Sequence, residues 1–269
     1  MKKIIKKLII LLSMMLLLTA CSAEKQDENK KPAKKDEGGK SNNTMVKLSL
    51  DDIKPYDGKK LRVIFIGDSI TYGHLSTDPS ANSYPSVFNQ LTEDRYEVAN
   101  FGKSAACTIS NTNPYNVYSK KDTRYYRLTD EYMNSLDFEA DVVIFMLGVN
   151  DTSTVMADRV NGGQALHDAY ISFIEEYKAL PSVSKIYVAL PICTPTTDEE
   201  IKKFRDGELQ QIIREAAVEA GAEIIDVYSY VREEFLNNYY KYFNSDHLHP
   251  NDEGYKYIAQ AIYDYFLVK

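Results

Sequence analysis

The chain has 269 residues, 44% of them apolar, and a formal net charge of −7 at pH 7. That length suits one globular domain of the larger kind, and no internal repeat or second domain is needed to explain the pattern below. The negative net charge argues against nucleic acid as a partner.

Residues 1–20 have the pattern of a secretory signal peptide. Lysines at positions 2, 3, 6 and 7 precede an apolar run over residues 8–18, which is too short to span a bilayer comfortably. The run ends in Leu18-Thr19-Ala20-Cys21, which looks like a bacterial lipobox. We therefore expect cleavage before Cys21 and lipid attachment to that cysteine. A plain signal peptide with an incidental cysteine is the alternative.

Residues 21–46 are predicted to form a flexible tether that begins with the lipidated cysteine. They are mostly Lys, Asp, Glu, Gly, Ser and Asn, and they cannot bury enough apolar surface to offset the entropy of ordering. Residues 47–269 would then form the folded domain. This organisation predicts a lipid-anchored protein on the extracytoplasmic face of the cell membrane, with the lipid as its only contact with the bilayer.

The folded part alternates between two kinds of periodicity. Short apolar, β-branched runs predict strands at 61–66, 96–99, 141–147, 185–190 and 222–227. Amphipathic patterns predict helices at 84–91, 127–136, 164–180, 201–220 and 253–267, with loops at 51–60, 103–124 and 152–163. This alternation predicts an α/β fold, a three-layer α/β/α arrangement around a five-stranded, doubly wound parallel sheet. No Gly-x-Gly-x-x-Gly follows the first strand, so no dinucleotide or other cofactor is predicted.

Polar segments follow the predicted strands at the edge where open α/β sheets hold their chemistry. They are Gly67-Asp68-Ser69, Asn100-Phe101-Gly102, Gly148-Val149-Asn150-Asp151 and, before the last helix, Asp246-His247-Leu248-His249-Pro250-Asn251. The order Ser, Gly, Asn, His resembles the SGNH hydrolases, also called the GDSL esterase/lipase family, over residues 61–267. The resemblance implies a flavodoxin-like sheet and ester hydrolysis.

The resemblance also implies a role for each of five residues. Ser69 would be the nucleophile, His249 the base that takes its proton, and Asp246 the carboxylate that orients the imidazole. The oxyanion hole would comprise the backbone N–H groups of Ser69 and Gly102 and the side-chain amide of Asn150. Gly102 suits close backbone approach because it lacks a Cβ atom.

Each of these residues also has a purely structural interpretation. Ser69 could cap a helix, Gly102 could be a turn glycine, and Asn150 could be an N-cap or form an Asx turn. His249, before a proline, could lie in a surface loop. Considered singly, the turn and cap interpretations of Gly102 and Asn150 are the better ones, and only the four segments together favour the hydrolase.

Four neighbouring polar residues are open to more than one interpretation. His247 does not fit the family spacing and is expected to be exposed, and Asp68 and Asp151 are expected to form turns or support the site. His74 could line the cleft or be structural. A metal site made by Asp246, His247 and His249 is conceivable, but no metal is predicted.

Cysteines and tyrosines leave further alternatives open. Cys107 and Cys193 follow strands that we expect to be non-adjacent, which favours two free thiols over a disulfide. Tyr115, Tyr118, Tyr125 and Tyr126 lie in or beside the 103–124 loop, where they could pack against sugar rings or stiffen the loop.

The leading functional hypothesis is a surface-tethered serine esterase that removes small acyl groups, acetyl in particular, from carbohydrate. Its partner would be an acylated small molecule or polysaccharide. The segments 103–124, 152–163 and 193–200 are polar and poor in Leu, Ile and Phe, which favours an open cleft for a short acyl group. Residues 67–73 and 82–85 also look like the carbohydrate-esterase branch of the family. The alternatives are a lipase or lysophospholipase for longer chains and a non-catalytic surface-binding lipoprotein; the sequence does not indicate the oligomeric state.

Overall fold

A sheet of five parallel strands, in the order β2-β1-β3-β4-β5, forms the centre of the computed structural model. The structure describes residues 49–110 and 124–267, which belong to the unit Lys47–Lys269. The predicted signal peptide, Cys21, the tether, Tyr115 and Tyr118 lie outside the described residues. The strands are β1 (Arg62–Gly67), β2 (Glu97–Gly102), β3 (Val142–Met146), β4 (Lys185–Ala189) and β5 (Glu223–Ile225).

The strand order reverses beside β1, which pairs with β2 on one side and β3 on the other. In this register Gly67 lies opposite Gly102 on β2 and opposite Met146 on β3. The carboxyl ends of the three strands are therefore level, and the residues that follow them meet at the switch point where open α/β sheets bind ligands.

Helices cover both faces of the sheet, as the prediction of three layers requires. They are α1 (Ser69–Tyr72), α2 (Pro79–Asn82), α3 (Tyr84–Leu91), α4 (Asp130–Asp137), α5 (Thr152–Ala157), α6 (Arg159–Lys178), α7 (Glu199–Lys203), α8 (Leu209–Glu219), α9 (Val227–Asn237), α10 (Tyr239–Tyr242) and α11 (Asp252–Leu267). One core joins α3, α9 and α11 to the face of the sheet that carries Phe65, whose ring lies 5.4 Å from that of Phe88. On the opposite face, Phe145 packs against Phe173 and Tyr177 of α6.

The strands and the fold class are confirmed, with two corrections at strand ends. Strand β2 continues to Gly102, beyond the predicted 96–99. The fifth strand stops at Ile225 instead of residue 227, because Asp226 caps α9 by accepting a hydrogen bond from the Ser229 N–H at 3.0 Å. The short helices α1 and α2, and helices α9 and α10, were not predicted, although Val227, Val231 and Phe235 place one buried face along α9.

The predicted loop at 152–163 is wrong. Helix α5 occupies residues 152–157, and α6 begins at Arg159 with Asp158 as its N-cap. The Gly162-Gly163 pair suggested a loop, but Gly162 lies where two helices approach closely. A Cβ atom on Gly162 would lie only 2.8 Å from the Val155 Cα atom.

Two predicted helices begin or continue differently from the prediction. The helix predicted at 127–136 starts with a 3₁₀ turn at Tyr126–Leu128, and α4 follows with Thr129 as its N-cap. The helix predicted at 201–220 comprises α7, a π-helical turn at Phe204–Glu208, and α8. No helix within residues 49–110 and 124–267 combines the length and apolarity needed to cross a membrane.

Cys107 and Cys193 are both buried, and they form no disulfide with each other. They follow β2 and β4, which are not neighbours in the sheet. The prediction that thiols are favoured over a disulfide at these two positions is confirmed.

The glycine pair in α6 provides a stability test with a matched control. Alanine normally stabilises a helix interior relative to glycine by about 1 kcal/mol. We expect Gly163→Ala to gain stability on that scale, because its nearest neighbour would be the Ile212 side chain at 3.5 Å. Gly162→Ala should instead lose about 1–3 kcal/mol, because the new methyl group meets the α5 backbone. Urea denaturation measures both, and equal effects would show that α5 and α6 do not pack in this way.

Candidate active site

Ser69 lies at the start of α1, directly beyond the carboxyl end of β1. Asp68 is the N-cap of this helix, and its side chain accepts a hydrogen bond from the Ile70 N–H at 2.9 Å. Ser69 is thus not the capping residue, and its hydroxyl is available for another partner. The residue is only 8% exposed.

That partner is His249, whose Nε2 atom lies 2.9 Å from the Ser69 Oγ atom. The Nδ1 atom of the same imidazole lies 2.5 Å from an oxygen of Asp246. Since a carboxylate can only accept, Nδ1 carries the proton and Nε2 presents a lone pair to the serine hydroxyl. The structure therefore brings Ser69, His249 and Asp246 together as a hydrogen-bonded series.

The Asp246 carboxylate also organises the turn that carries His249. One of its oxygens accepts the backbone N–H groups of Leu248 and His249, each at 3.1 Å. Burial raises the pKa of Asp246, but the hydrogen bonds from the His249 ring and from these two N–H groups outweigh burial and hold the pKa below its usual range. Asp246 therefore remains ionised while it fixes the imidazole.

The other two histidines near the turn pack against different rings. The His74 ring packs edge-on against His249, with 4.6 Å between ring centroids, so His74 lines the site. His247 is exposed, as predicted, has a φ of 55°, and packs against Tyr239 with 5.3 Å between centroids. Within residues 49–110 and 124–267, no three His, Cys, Asp or Glu side chains are grouped to hold a metal ion.

The Asn150 side chain lies in the 3₁₀ turn Val149–Asp151 that follows β3. Its amide donates one N–H to the Ala106 carbonyl oxygen at 3.0 Å, which leaves the second N–H of the NH₂ group for another acceptor. This bond reaches the segment that follows β2, on the far side of β1, so the amide is fixed against the backbone of that segment.

Gly102 has a structural requirement of its own. A Cβ atom at this position would collide with the backbone of Thr71 and Tyr72 in α1. Its N–H donates to the Asn100 side-chain oxygen at 2.8 Å, and the Asn100 amide in turn donates to the Thr71 carbonyl at 2.7 Å. The Gly102 N–H therefore already has an acceptor. A substrate oxygen would have to share this N–H with Asn100 or replace Asn100 as its acceptor.

Asp68 and Asp151 are buried supports, as predicted. Asp151 accepts the backbone N–H groups of Thr108 and Ile109 at 2.9 Å and so ties the segment after β2 to the Asn150 turn. Burial raises the pKa of Asp68 to about 7 and that of Asp151 to about 6.

Arg205 is a contributor to the site that the sequence analysis missed. The π-helical turn directs its guanidinium towards the Asn150 turn, where it donates to the Thr152 hydroxyl at 3.1 Å and to the Val149 carbonyl at 3.5 Å. A third bond, at 3.0 Å, reaches the Thr194 hydroxyl after β4. Among the described residues no carboxylate lies within ion-pair distance of it. An arginine in an amphipathic helix pattern gives no sequence signal for this position.

The two described tyrosines of the 103–124 region have structural roles. Tyr126 is fully buried and donates to the Phe101 carbonyl at 2.7 Å. The Tyr125 hydroxyl accepts a hydrogen bond from Arg127 at 2.9 Å. Both side chains therefore make contacts within the protein, as the structural interpretation expects.

Comparison with known proteins identifies similar sequences and folds. A sequence profile described as the GDSL-like lipase/acylhydrolase family matches residues 65–257. An acetylxylan esterase of Xylanibacter ruminicola is 30% identical over 218 residues, which cover 75% of this chain and 42% of that protein. The chain thus spans less than half the length of this curated relative.

Solved structures share the fold at lower identity. A putative GDSL-like lipase from Parabacteroides merdae superimposes with a TM-score of 0.59 at 19% identity, covering 78% of this chain and 97% of that one. The acetylxylan esterase Axe2 from Geobacillus stearothermophilus gives a TM-score of 0.55 at 16% identity, covering 78% of this chain and 95% of that one.

The raised pKa of Asp68 makes a prediction about pH and stability. An unfolded aspartate has a pKa near 3.9, so between about pH 4 and about 7 the folded protein holds a proton that the unfolded chain has lost. The stabilising effect of that proton is complete below about pH 4 and is lost as the pH rises through about 7. Asp68→Asn keeps the N-cap and should remove this loss, which amounts to at most about 1.4 kcal/mol per pH unit.

Urea denaturation from about pH 4 to 8 measures the effect. The matched control is Asp78→Asn, since Asp78 is the exposed N-cap of α2 and its hydrogen bonds with Ser80 lower its pKa. A stability difference between wild type and Asp68→Asn that stays constant with pH would contradict the prediction.

Proposed function

Because the chain belongs to the GDSL-like lipase/acylhydrolase family of carboxylic ester hydrolases, we propose that it is a serine esterase that removes acetyl and other small acyl groups from carbohydrate. The observation that carries the proposal is the series from Ser69 through His249 to Asp246, with distances of 2.9 and 2.5 Å. A binding protein has no need of a hydroxyl, an imidazole and a carboxylate held in this order.

In the proposed reaction, the Ser69 Oγ atom attacks the ester carbonyl while its proton moves to the His249 Nε2 atom. Asp246, held ionised by its hydrogen bonds, stabilises the imidazolium that forms. His249 then gives this proton to the sugar oxygen as its bond to the carbonyl carbon breaks, so the sugar leaves as an alcohol and the acyl group stays on Ser69. In the second half, His249 takes a proton from water, the resulting hydroxide attacks the acyl group, and the carboxylic acid leaves as Ser69 recovers its proton.

Negative charge on the carbonyl oxygen requires donors that are fixed before the reaction begins. The Ser69 N–H lies in the first turn of α1, where backbone donors have no intrahelical acceptor. The second N–H of Asn150 supplies a neutral donor, and the bond to Ala106 holds the amide in place. The Gly102 N–H can also donate to the charged oxygen if its hydrogen bond is divided between that oxygen and the Asn100 side-chain oxygen. Loss of one such donor typically costs about 10²–10³ in turnover.

Arg205 stabilises the turn that carries Asn150. Its guanidinium bonds the carbonyl of the residue before Asn150 and the hydroxyl of Thr152. These contacts restrict the turn. The Asn150 amide is therefore already in position when negative charge develops on the substrate oxygen. Arg205 is therefore a positioning residue in the proposed mechanism.

A carbohydrate substrate is supported by the acetylxylan esterase relative and by the polar composition of the segments around the site. A short acyl group is supported by the same composition, because long-chain lipases need an extended apolar groove.

We expect the purified protein to release acetate from an acetylated glycan and kcat/KM to fall steadily from acetyl to octanoyl model esters. Ser69→Ala and His249→Ala should each abolish nearly all turnover, and the double variant should be no worse than either because the residues act as a unit. Asp246→Asn should leave more residual activity.

His167→Ala, at a half-buried histidine of α6 that faces Asp168 and Glu219, is the matched control and should keep full activity. Faster cleavage of octanoyl esters, with no acetate released from any acetylated glycan, would assign the protein as a lipase instead.

We also propose that the esterase is held on the outer face of the cell membrane by a lipid on Cys21. The support is the Leu18-Thr19-Ala20-Cys21 sequence after a basic and then an apolar segment. Lipid chains of this kind anchor a protein by burying their methylene groups in the bilayer.

In a bacterial host, Cys21→Ser should abolish incorporation of radiolabelled fatty acid and remove the processed protein from the membrane fraction. Ser22→Ala, which leaves the cysteine in place, should behave as the wild type. Processed Cys21→Ser protein that still partitions into membranes would refute the anchor.

A further inference from the structure

A groove of about 260 Å³ lies between the segment that follows β4 and the region of α10. Its walls are formed by hydroxyl, aromatic and basic side chains, together with a proline and a leucine. The polar and aromatic side chains that line it are Thr194, Thr196, Thr197, Lys202, Tyr239 and His247.

Two of the residues that line the groove connect it to the proposed catalytic residues. His247 directly follows Asp246 in the turn that carries His249. Thr194 accepts a hydrogen bond from Arg205, which also bonds Thr152 beside the Asn150 turn. A substrate whose ester lies at Ser69 can therefore extend into this groove with the part of the molecule that is not cleaved.

The charge of the groove is opposite to that of the protein. The chain carries a net charge of −7, but none of the described side chains that line the groove is a carboxylate. Lys202 has no ion-pair partner among the described residues. The same is true of its neighbour Lys203, but only Lys202 lines the groove. An ammonium group without a protein partner, in a concave site beside a reaction centre, favours an anionic ligand.

The remaining side chains that line the groove indicate which class of anion it would bind. The three threonines can exchange hydrogen bonds with sugar hydroxyls. Tyr239 is 38% exposed, and His247 supports its ring at 5.3 Å between centroids, so an aromatic surface is available for the apolar face of a pyranose. A single lysine matches the single charge of a sugar carboxylate.

We propose that this groove binds an acidic sugar, a uronate unit of the acyl acceptor, with its carboxylate on Lys202 and its ring against Tyr239. This assignment rests on the proposed function, because it treats the groove as the acceptor side of the same active site. It makes the protein an esterase selective for acylated glycans that carry carboxylate groups.

The test uses the Ser69→Ala protein, which should bind substrate-like glycans without cleaving them. Two probes are titrated calorimetrically: a xylo-oligosaccharide that bears one glucuronate, and the same oligosaccharide with its carboxyl group reduced to an alcohol. We expect the acidic form to bind about fivefold more tightly, in the range of one partly exposed ion pair. The preference should shrink in about 0.5 M salt because the charges are then screened.

Lys202→Gln, added to Ser69→Ala, should abolish the preference for the acidic probe. Lys203→Gln is the matched control, since Lys203 is the exposed neighbour on α7 and does not line the groove. Equal affinity for the two probes, a preference that survives Lys202→Gln, or no measurable binding of the acidic probe would each overturn the proposal.

The binding test of the groove and the activity test of the proposed esterase can fail independently. Acetate release by the wild type with no preference between the probes would retain the esterase and remove the acidic-sugar site. A Lys202-dependent preference in a protein that cleaves no ester would retain the site and remove the esterase.

Discussion

The site depends on the register that ends β1, β2 and β3 at the same level. Gly67 lies opposite both Gly102 and Met146, and α1 begins two residues later. Neither glycine has space for a Cβ atom: at Gly67 it would meet the Thr71 side chain and the Met146 carbonyl, and at Gly102 the backbone of α1. This close packing of backbone sets the distance between Ser69 and the strand ends that precede the proposed oxyanion donors.

Buried polar groups then fix the loops to this frame. Asp151 holds the segment after β2, Asn150 bonds the Ala106 carbonyl, and Asn100 joins β2 to α1. Each bond satisfies a backbone group that would otherwise be costly to bury, so the network stabilises the fold and orients the site through the same contacts. The raised pKa of Asp68 shows the energetic cost of placing a carboxyl group inside this network.

Much of this arrangement could be predicted from sequence because it depends on local patterns. Buried parallel strands are short apolar runs, and the polar residues after them must meet at one edge of the sheet. The failures have two causes. Asp226 ends a strand because it caps a helix, and this local signal was hidden by the apolar run that continues to Val227. Gly162 is helical because α6 packs against Val155 of α5, and Arg205 reaches Thr152 across 53 positions of sequence; no local pattern encodes these two contacts.

The central claim, that His249 activates Ser69 as a nucleophile, is tested most directly by reaction with a fluorophosphonate followed by intact-mass and peptide analysis. The account predicts one adduct per chain, located on Ser69, with no adduct in Ser69→Ala and much slower labelling in His249→Ala. Labelling of another residue at the same rate in all three proteins, or no labelling of the folded wild type, would contradict it.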